Sequence, residues 1–277
     1  MQIVGYDARD GGLLLSDISA TGAAAADDPE TEPTTDGGPS AAPARTVHPV
    51  EYVSLDSGTD LAYRLGDRHC AGVVTDDGHR ACDATDAPHC PAHTSTWVCA
   101  RCTGTCLKDE MDCLDDHAVY LAAFAPDTFK VGVTKAWRLE TRLREQGADR
   151  GARIHTVDNG RIARELEAEL AAEIPDRVRV PTKRAGLGRA VDEAAWDALL
   201  ADFAPTERFD LDYGLDLTER PVAETVATGR VRGTKGRLLV LDHAGSTYVV
   251  DLRELVGYEV TEGGTDRRLQ SSLGAFE

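Results

Sequence analysis

Residues 118–134 read AVYLAAFAPDTFKVGVT, and this stretch predicts the local fold more directly than any other part of the chain. The uninterrupted apolar run at 118–124 indicates a buried strand. The following APDT at 125–128 is typical of a turn, because proline and aspartate favour turn conformations. Residues 129–134 predict a second strand. We therefore expect a β-hairpin whose first strand lies in the interior.

Downstream of the hairpin, the sequence alternates between helical and extended patterns. Residues 137–146 predict a helix that ends at a glycine, and 153–157 predict a strand. A second helix, capped by Asp158 or Asn159, has apolar residues at a spacing of four. These apolar residues are Ile162, Leu166, Leu170 and Ile174. A third helix is predicted at 191–203, so we expect a mixed α/β domain here.

Both ends of the chain predict β-structure. At the N-terminus, extended pieces at 1–18 and 50–55 are separated by residues 20–46, which are mostly Ala, Pro, Thr, Gly and Asp. Such a segment cannot bury enough apolar surface to become ordered. From about residue 215 onward strand patterns return, with a meander at 231–251. We expect the two ends to form one split β-module, with 20–46 as a disordered insertion.

All seven cysteines of the chain lie between Cys70 and Cys113, together with His79, His89 and His93. Thiolates and imidazoles at short spacings are typical of zinc sites. A disulfide framework is the alternative, but an odd number of cysteines fits pairing poorly. The N-terminus also lacks the basic and apolar regions of a signal peptide. We therefore predict zinc binding in a reducing, cytoplasmic compartment.

The spacing of these residues predicts two zinc sites, one built on the CxxH knuckle at 90–93 and one on the CxxC knuckle at 99–102. Cys70 is the preferred fourth ligand of the first site, with His79 and His89 as substitutes. The predicted ligands are Cys70, Cys82, Cys90 and His93 in the first site and Cys99, Cys102, Cys106 and Cys113 in the second. Four protein ligands leave no position for water, so both ions would be structural. The alternatives are a single site with spare buried cysteines, and, less favoured, a catalytic zinc.

The charge of the chain is strongly acidic but unevenly distributed. The net charge is −18, with five lysines against twenty-five arginines, a composition typical of a salt-adapted organism. Residues 118–184 nevertheless carry 13 Lys and Arg against 10 Asp and Glu, a net charge of +3, which leaves −21 for the rest. A locally basic segment indicates a phosphate-bearing partner. An ordinary charged helical surface is the alternative.

Two classes of function are not indicated by the sequence. No apolar run approaches the roughly 20 residues of a membrane span. Neither a Walker-type loop nor a dinucleotide-binding fingerprint is present, so no small-molecule cofactor is predicted.

The motifs VYLA at 119–122, KVGVT at 130–134 and TRL at 141–143 resemble the GIY-YIG nuclease superfamily. There, a hairpin carries the two name motifs, an arginine-bearing helix follows, and a later helix supplies a metal-binding glutamate. The resemblance implies a mixed α/β fold and, in active members, hydrolysis of a phosphodiester with one magnesium ion. With QGA at 146–148, the chain looks still more like an uncharacterised zinc-containing family. That second resemblance covers most of residues 48–260 and brings no established activity.

The resemblance assigns roles to residues at matching positions. Tyr120 matches the tyrosine of the first motif and would help to activate water or bind phosphate. Lys130 stands where the second motif usually has tyrosine, which departs from a two-tyrosine mechanism. Arg142 matches the helical arginine. Arg138 lies one turn before it, so we expect both guanidinium groups to face one phosphate.

For the metal-binding glutamate, Glu167 is preferred over Glu165. A rotation of about 100° per residue places Glu167 nearer the apolar stripe of its helix. Each candidate also has a structural interpretation: a core tyrosine, arginines paired with Glu145 and other acids, and a solvated helical glutamate. A further basic set suits either nucleic acid or a structural lid. Its members are Arg230, Arg232, Lys235 and Arg237.

Together these patterns predict an α+β protein. A zinc-ribbon region precedes a GIY-YIG-like α/β domain, and a split small β-module flanks both. The expected division of the chain is 1–66, 67–117, 118–210, 211–262 and a tail at 263–277. The favoured function is nucleic-acid binding or processing by a zinc-stabilised protein. The form of processing that the GIY-YIG resemblance implies is phosphodiester hydrolysis that depends on Mg²⁺. A non-catalytic nucleic-acid-binding zinc protein and a protein–protein adaptor are the alternatives.

Overall fold

The computed structural model describes residues 1–18, 46–94, 114–265, 267 and 269. It has a mixed α+β structure in which sheets dominate. Its strands are β1 (Gln2–Asp7), β2 (Gly12–Ser16), β3 (Val50–Ser54), β4 (Asp60–Arg68), β5 (Val73–Thr75), β6 (Gly78–Arg80), β7 (His117–Phe124), β8 (Thr128–Lys135), β9 (Arg150–Val157), β10 (Glu207–Asp210), β11 (Val222–Ala223), β12 (Ala227–Lys235), β13 (Leu238–His243), β14 (Ser246–Asp251) and β15 (Tyr258–Glu262). Its helices are α1 (Leu139–Gln146), α2 (Gly160–Leu170), α3 (Val180–Ala185), α4 (Glu193–Leu200) and α5 (Leu252–Leu255).

Strands from both ends of the chain pair in one nine-stranded sheet, in the order β11-β14-β13-β12-β4-β15-β1-β2-β3. A buried apolar cluster that includes Ile3, Leu61 and Leu239 draws on strands across this sheet. Gly11, in the β1–β2 turn, lies close to Thr234 of β12, although two strands separate β12 from β1. A Cβ atom at Gly11 would come within 2.7 Å of Thr234 Oγ1. The sheet therefore curls around one core.

The predicted hairpin is β7 and β8, which pair in register along their whole length. They belong to a four-stranded sheet with the order β10-β9-β7-β8. All of β7 is buried, as its apolar run predicts, because helices cover both faces. Leu139 and Leu143 of α1 pack on one face, and Ala163 of α2 and Trp196 of α4 pack on the other.

Helix α2 is shorter than its apolar stripe suggests. Asn159 caps the helix, since its Oδ1 accepts a hydrogen bond from the Ile162 backbone N–H at 3.0 Å, but the helix ends at Leu170. Each step of four residues rotates a side chain about 400° around the helix axis, which is about 40° more than one full turn. Apolar residues spaced four apart therefore drift steadily away from one face of the helix. Ile162 is accordingly 41% exposed, whereas Ile174, beyond the helix, is buried.

Two predicted features fall outside the described residues: nearly all of the insertion at 20–46, and the second zinc site at 99–113. The four predicted ligands Cys99, Cys102, Cys106 and Cys113 therefore stay a prediction. Among the helices that the structure describes, none combines the length and the apolar character needed to cross a membrane.

Candidate metal centre and cationic cleft

Three cysteines and one histidine converge beside the small β5–β6 sheet. The potential ligand atoms of Cys70, Cys82, Cys90 and His93 all lie within 4.8 Å of one another. His93 Nδ1 is 3.4 Å from Cys70 Sγ and 3.3 Å from Cys90 Sγ, and the Sγ atoms of Cys82 and Cys90 are 4.0 Å apart. We call this group the Cys3His cluster.

These separations fit a tetrahedral ion. With zinc about 2.3 Å from sulfur and about 2.0–2.1 Å from nitrogen, neighbouring ligand atoms lie roughly 3.6–3.8 Å apart. Burial raises the pKa of the Cys70 thiol, so three thiolates this close together need a cation to stabilise them. The cluster could therefore hold a metal such as zinc.

The backbone around the cluster is arranged to support the sulfur atoms. The backbone N–H groups of Gly72 and Cys90 donate to Cys70 Sγ at 3.4 and 3.2 Å. Gly72 has a φ of +60°, and a Cβ atom there would lie 2.0 Å from the Arg80 carbonyl oxygen, so only glycine fits this turn. The tight loop therefore places one thiolate among N–H donors, which stabilise its charge.

The two substitute ligands, His79 and His89, are not members of the cluster. The buried His79 ring has its Nε2 2.9 Å from the Ala71 carbonyl oxygen, and burial lowers the pKa of both histidines. His79 therefore holds the loop that carries Cys70. Cys70, the preferred fourth ligand, takes that place in the cluster.

A cleft of about 1040 Å³ opens between the nine-stranded sheet and helices α1 and α3. Four of its lining residues are cationic and two are acidic. They are Arg142, Arg179, Lys183 and Arg237, against Asp7 and Glu145. The rings of Tyr6 and Tyr52 form part of the opposite wall. We call this the cationic cleft.

Tyr120 lies directly behind the wall of the cationic cleft. Its side chain is buried, and its hydroxyl oxygen accepts a hydrogen bond of 2.9 Å from Nε2 of Gln146, which lines the cleft. Burial raises the pKa of Tyr120, and the nearby Arg142 guanidinium opposes this shift. The phenol is therefore neutral near pH 7, able to donate a hydrogen bond.

Lys130 and Glu167 lie near Tyr120. Burial lowers the pKa of Lys130 to about 8, and the Glu167 carboxylate opposes that shift. The same carboxylate adds to the rise in the pKa of Tyr120. Only 14% of the Glu167 side chain is exposed, and its Oε2 is 2.5 Å from Arg164 Nη1. Glu165, by contrast, forms an exposed pair with Arg161.

Arg138 and Arg142 converge, as their spacing predicts, but on a carboxylate of the protein. Arg138 Nη2 is 2.9 Å from Glu145 Oε1, and Arg142 Nη1 is 3.2 Å from Glu145 Oε2. Both arginine side chains are more than 40% exposed, so a competing phosphate can reach them. In this structure the two arginines therefore form ion pairs with an acidic residue of the protein, which is the structural alternative to phosphate binding.

Lys183 and Gln146 are site residues that sequence reasoning did not select, and Arg237 was named only as one member of the C-terminal basic set. Lys183 Nζ donates to the Gln146 carbonyl oxygen at 2.7 Å and lies 4.7 Å from the centre of the Phe124 ring. A sequence signal existed for each: QGA at 146–148 belongs to the family resemblance, Lys183 to the basic segment and Arg237 to the C-terminal basic set. None of these signals indicated that the three residues share one cleft.

The fold and the cluster define the chain as a sheet-dominated α+β protein with a potential Cys3His metal centre. Residues 81–260 match the family described as "Protein of unknown function (DUF2797)", and the chain belongs to this family. The expected membership of an uncharacterised family is thereby confirmed, but the match is to neither a GIY-YIG nor a zinc-ribbon family. No curated protein and no solved structure matches the chain.

Proposed function

We propose that the protein binds nucleic acid, with phosphates in the cationic cleft and a structural zinc ion in the Cys3His cluster. The observation that carries the proposal is the excess of cations in this cleft of a chain whose net charge is −18. Lysine and arginine side chains attract phosphates and release the counterions bound to nucleic acid. A cleft that stays cationic in so acidic a chain suits a polyanionic ligand.

The size and lining of the cleft favour nucleic acid over a simple anion. Its volume of about 1040 Å³ lies at the upper limit of small-molecule pockets, which span about 300–1,000 Å³. Tyr6 and Tyr52 present aromatic rings in the same cleft, and Tyr52 is 48% exposed. Bases stack on exposed aromatic rings while cations hold the backbone.

Zinc in the Cys3His cluster would have a structural role in this proposal. Four protein ligands close a tetrahedral site, so no position is left for a reacting water. A bound ion would cross-link the loop at Cys70 to the knuckle at 90–93. Ligand binding would then take place in the cationic cleft and not at the zinc ion.

Metal-dependent phosphodiester hydrolysis is a second candidate, favoured by the proximity of Tyr120, Lys130, Arg142 and Glu167. Glu167 is the residue that would hold Mg²⁺, and such an ion stabilises developing charge on a phosphate. The neutral Tyr120 hydroxyl would hold and orient a water or a phosphate oxygen, while Arg142 and Lys130 stabilise negative charge. For this role the Glu167 carboxylate must release Arg164 and coordinate the metal ion instead.

Binding is tested with the double variant Arg142→Gln/Arg179→Gln and fluorescently labelled DNA and RNA, single- and double-stranded. We expect a loss of at least roughly tenfold in affinity, and a log K against log salt slope that is shallower by about 1.5 for two lost phosphate contacts. The charge-matched control is Arg161→Gln/Arg208→Gln, which alters two exposed pairs outside the cleft. Equal binding by both double variants, or no binding by the wild type, would contradict the proposal.

Hydrolysis is tested by incubating the same nucleic acids with Mg²⁺ at high salt. If the second candidate is correct, Tyr120→Phe and Glu167→Gln lower cleavage by about 100-fold or more. Glu165→Gln, on the same helix, should cleave like the wild type. If the wild type and all variants bind nucleic acid and none of them cleaves it, the binding proposal stands and the hydrolysis proposal is rejected.

A further inference from the structure

Tyr52 presents one face of its ring to the cationic cleft. It lies on β3, the edge strand of the nine-stranded sheet, and its side chain crosses Gly12 of the neighbouring strand β2. A Cβ atom at Gly12 would overlap the ring and would come nearest to Cζ, the carbon that carries the hydroxyl group. Within the ring plane the hydroxyl oxygen shields Cζ, so Gly12 lies against one face of the ring. The opposite face is open, and Tyr52 is 48% exposed.

The Tyr52 ring is also held in a fixed orientation. Its hydroxyl group donates a hydrogen bond of 3.2 Å to the Gly11 carbonyl oxygen in the β1–β2 turn. Leu14, directly opposite Tyr52 on β2, lines the same cleft. Tyr6, the other tyrosine of the lining, packs partly against the core of the sheet, so Tyr52 offers the more accessible ring. A base that stacks on Tyr52 would meet a preformed aromatic surface, which reduces the entropic cost of binding.

Two of the four cations that line the cleft already have carboxylate partners. Arg142 Nη1 is 3.2 Å from Glu145 Oε2, and Arg237 Nη2 is 2.8 Å from Asp251 Oδ2. Both arginines must exchange a carboxylate for a phosphate before they can bind nucleic acid. They therefore contribute less to the free positive charge of the cleft than the other two cations.

Arg179 and Lys183 are the cations of the lining that have no ion pair with any residue the structure describes. They lie four residues apart, at the start of α3 and within it, and the Lys183 backbone N–H donates to the Arg179 carbonyl oxygen at 3.2 Å. Arg179 is exposed. The Lys183 ammonium donates to the Gln146 carbonyl oxygen and has two further donors. Burial lowers the pKa of Lys183 to about 7, and a bound phosphate would raise it again.

The two walls of the cleft therefore differ in charge. On the sheet wall, the Asp7 carboxylate accepts hydrogen bonds from two backbone N–H groups of its own turn and keeps its negative charge. Phosphates are attracted to Arg179 and Lys183 on the α3 wall and repelled from the sheet wall. The Tyr52 ring, on the sheet wall, remains for an uncharged aromatic group. This arrangement orients a strand with its backbone along α3 and a base toward the sheet.

We infer that the cleft selects single-stranded nucleic acid, with an unpaired base stacked on Tyr52 and adjoining phosphates held by Arg179 and Lys183; this inference rests on the proposed function. In a duplex the faces of every internal base are covered by neighbouring bases, so none can stack on a protein ring. A duplex also carries a denser phosphate charge than a single strand. Cations alone would therefore favour the duplex, and a preference for the single strand identifies the contribution of the ring.

The test compares one short sequence, made as DNA and as RNA, as a single strand and as a duplex with its complement. For the wild type we expect the single strand to bind roughly tenfold more tightly, because only the single strand can stack on Tyr52. Tyr52→Leu should lower the affinity for the single strand by roughly tenfold. Tyr52→Phe, which keeps the ring but loses the hydrogen bond to Gly11, should lose less.

A second measurement reports stacking directly. Single strands that carry 2-aminopurine at one position at a time are bound to saturating protein, because the fluorescence of this base falls when it stacks on an aromatic ring. We expect quenching at one or more positions with the wild type, and none with Tyr52→Leu at saturation.

Tyr258→Leu is the matched control, because Tyr258 lies on the same sheet, contacts Arg68 and does not line the cleft. Circular dichroism shows whether each variant is folded, and the quenching measurement on the wild type needs no variant. A duplex that binds as tightly as the single strand, or an unquenched wild-type complex, would overturn the inference and leave the proposed function intact. Absence of binding to either form would overturn both. Quenching that persists in Tyr52→Leu would overturn the assignment of the stacked base to Tyr52.

Discussion

Gly132 and Tyr120 face each other directly across β7 and β8, and the glycine makes room for the phenol ring. A Cβ atom at position 132 would lie 2.6 Å from both Cζ and the hydroxyl oxygen of Tyr120. The ring thus crosses β8 where that strand has no side chain, and its hydroxyl reaches Gln146. The ring of Tyr120, in the VYLA motif, therefore explains why position 132 of the KVGVT motif is a glycine.

At the residue scale, Gly132→Ala is expected to destabilise the protein by about 1–3 kcal/mol, because the added methyl group overpacks a buried site. The displaced ring should also lose its hydrogen bond to Gln146. Chemical denaturation measures the change in the free energy of unfolding.

Gly66→Ala provides the control for that substitution. Gly66 lies within β4, and the nearest atom to an added Cβ is at 3.5 Å, an ordinary contact. This variant should stay within about 0.5 kcal/mol of the wild type. An equal loss in both variants would mean that the Tyr120 ring does not explain the glycine.

At the scale of elements, the turn between α1 and β9 connects the two sheets through Asp149. Its Oδ1 is 2.5 Å from Nζ of Lys235 on β12, and its Oδ2 accepts a 2.9 Å hydrogen bond from the Ala125 backbone N–H. The two charged side chains are only 16% and 11% exposed. This contact helps to hold the walls of the cationic cleft in place.

Asp149→Asn is expected to lower the free energy of unfolding by about 3 kcal/mol, because it leaves the buried ammonium of Lys235 without its counter-charge. The comparison is Asp197→Asn, which breaks an exposed pair with Arg208. Exposed pairs contribute about 0–1 kcal/mol. Similar losses in the two variants would show that the buried pair is not a specific link between the sheets.

At the scale of the whole molecule, the Cys3His cluster is attached to the nine-stranded sheet. Nε2 of Gln2, on β1, donates to the carbonyl oxygens of Cys70 and Gly257 at 3.3 and 3.1 Å. His69 adds a contact, since its Nδ1 lies 3.1 Å from the Cys82 carbonyl oxygen. Loss of a metal from the cluster would therefore destabilise the sheet as well as the loops that carry the ligands.

Removal of metal with excess EDTA is expected to lower the melting temperature markedly, because metal-binding free energy contributes directly to folding. Metal analysis of the purified protein should find zinc, and Cys90→Ser should contain one equivalent less per chain. EDTA already saturated with zinc is the control for effects of the chelator itself. A wild-type protein without zinc, or an unchanged zinc content in Cys90→Ser, would contradict a zinc site here.

Spacing along the chain was sufficient to predict the hairpin, the α+β class and three members of the Cys3His cluster, whereas Cys70 was the preferred of three candidates for the fourth. These features depend on neighbours that are close in sequence: β7 and β8 meet through a short turn, and Cys82, Cys90 and His93 lie within twelve residues. Periodicity and ligand spacing record such local contacts directly.

Only the tertiary structure placed Gln146, Lys183 and Arg237 around one cleft. The hydrogen bond from Lys183 to Gln146 spans 37 residues, and Arg237 lies in the turn between β12 and β13 of the other sheet. An isolated basic side chain has no periodic pattern, so its sequence position does not reveal which surface it shares with distant residues. The shared surface depends on the packing of helices α1 and α3 against the curled sheet, which the sequence determines only through the sum of many long-range contacts.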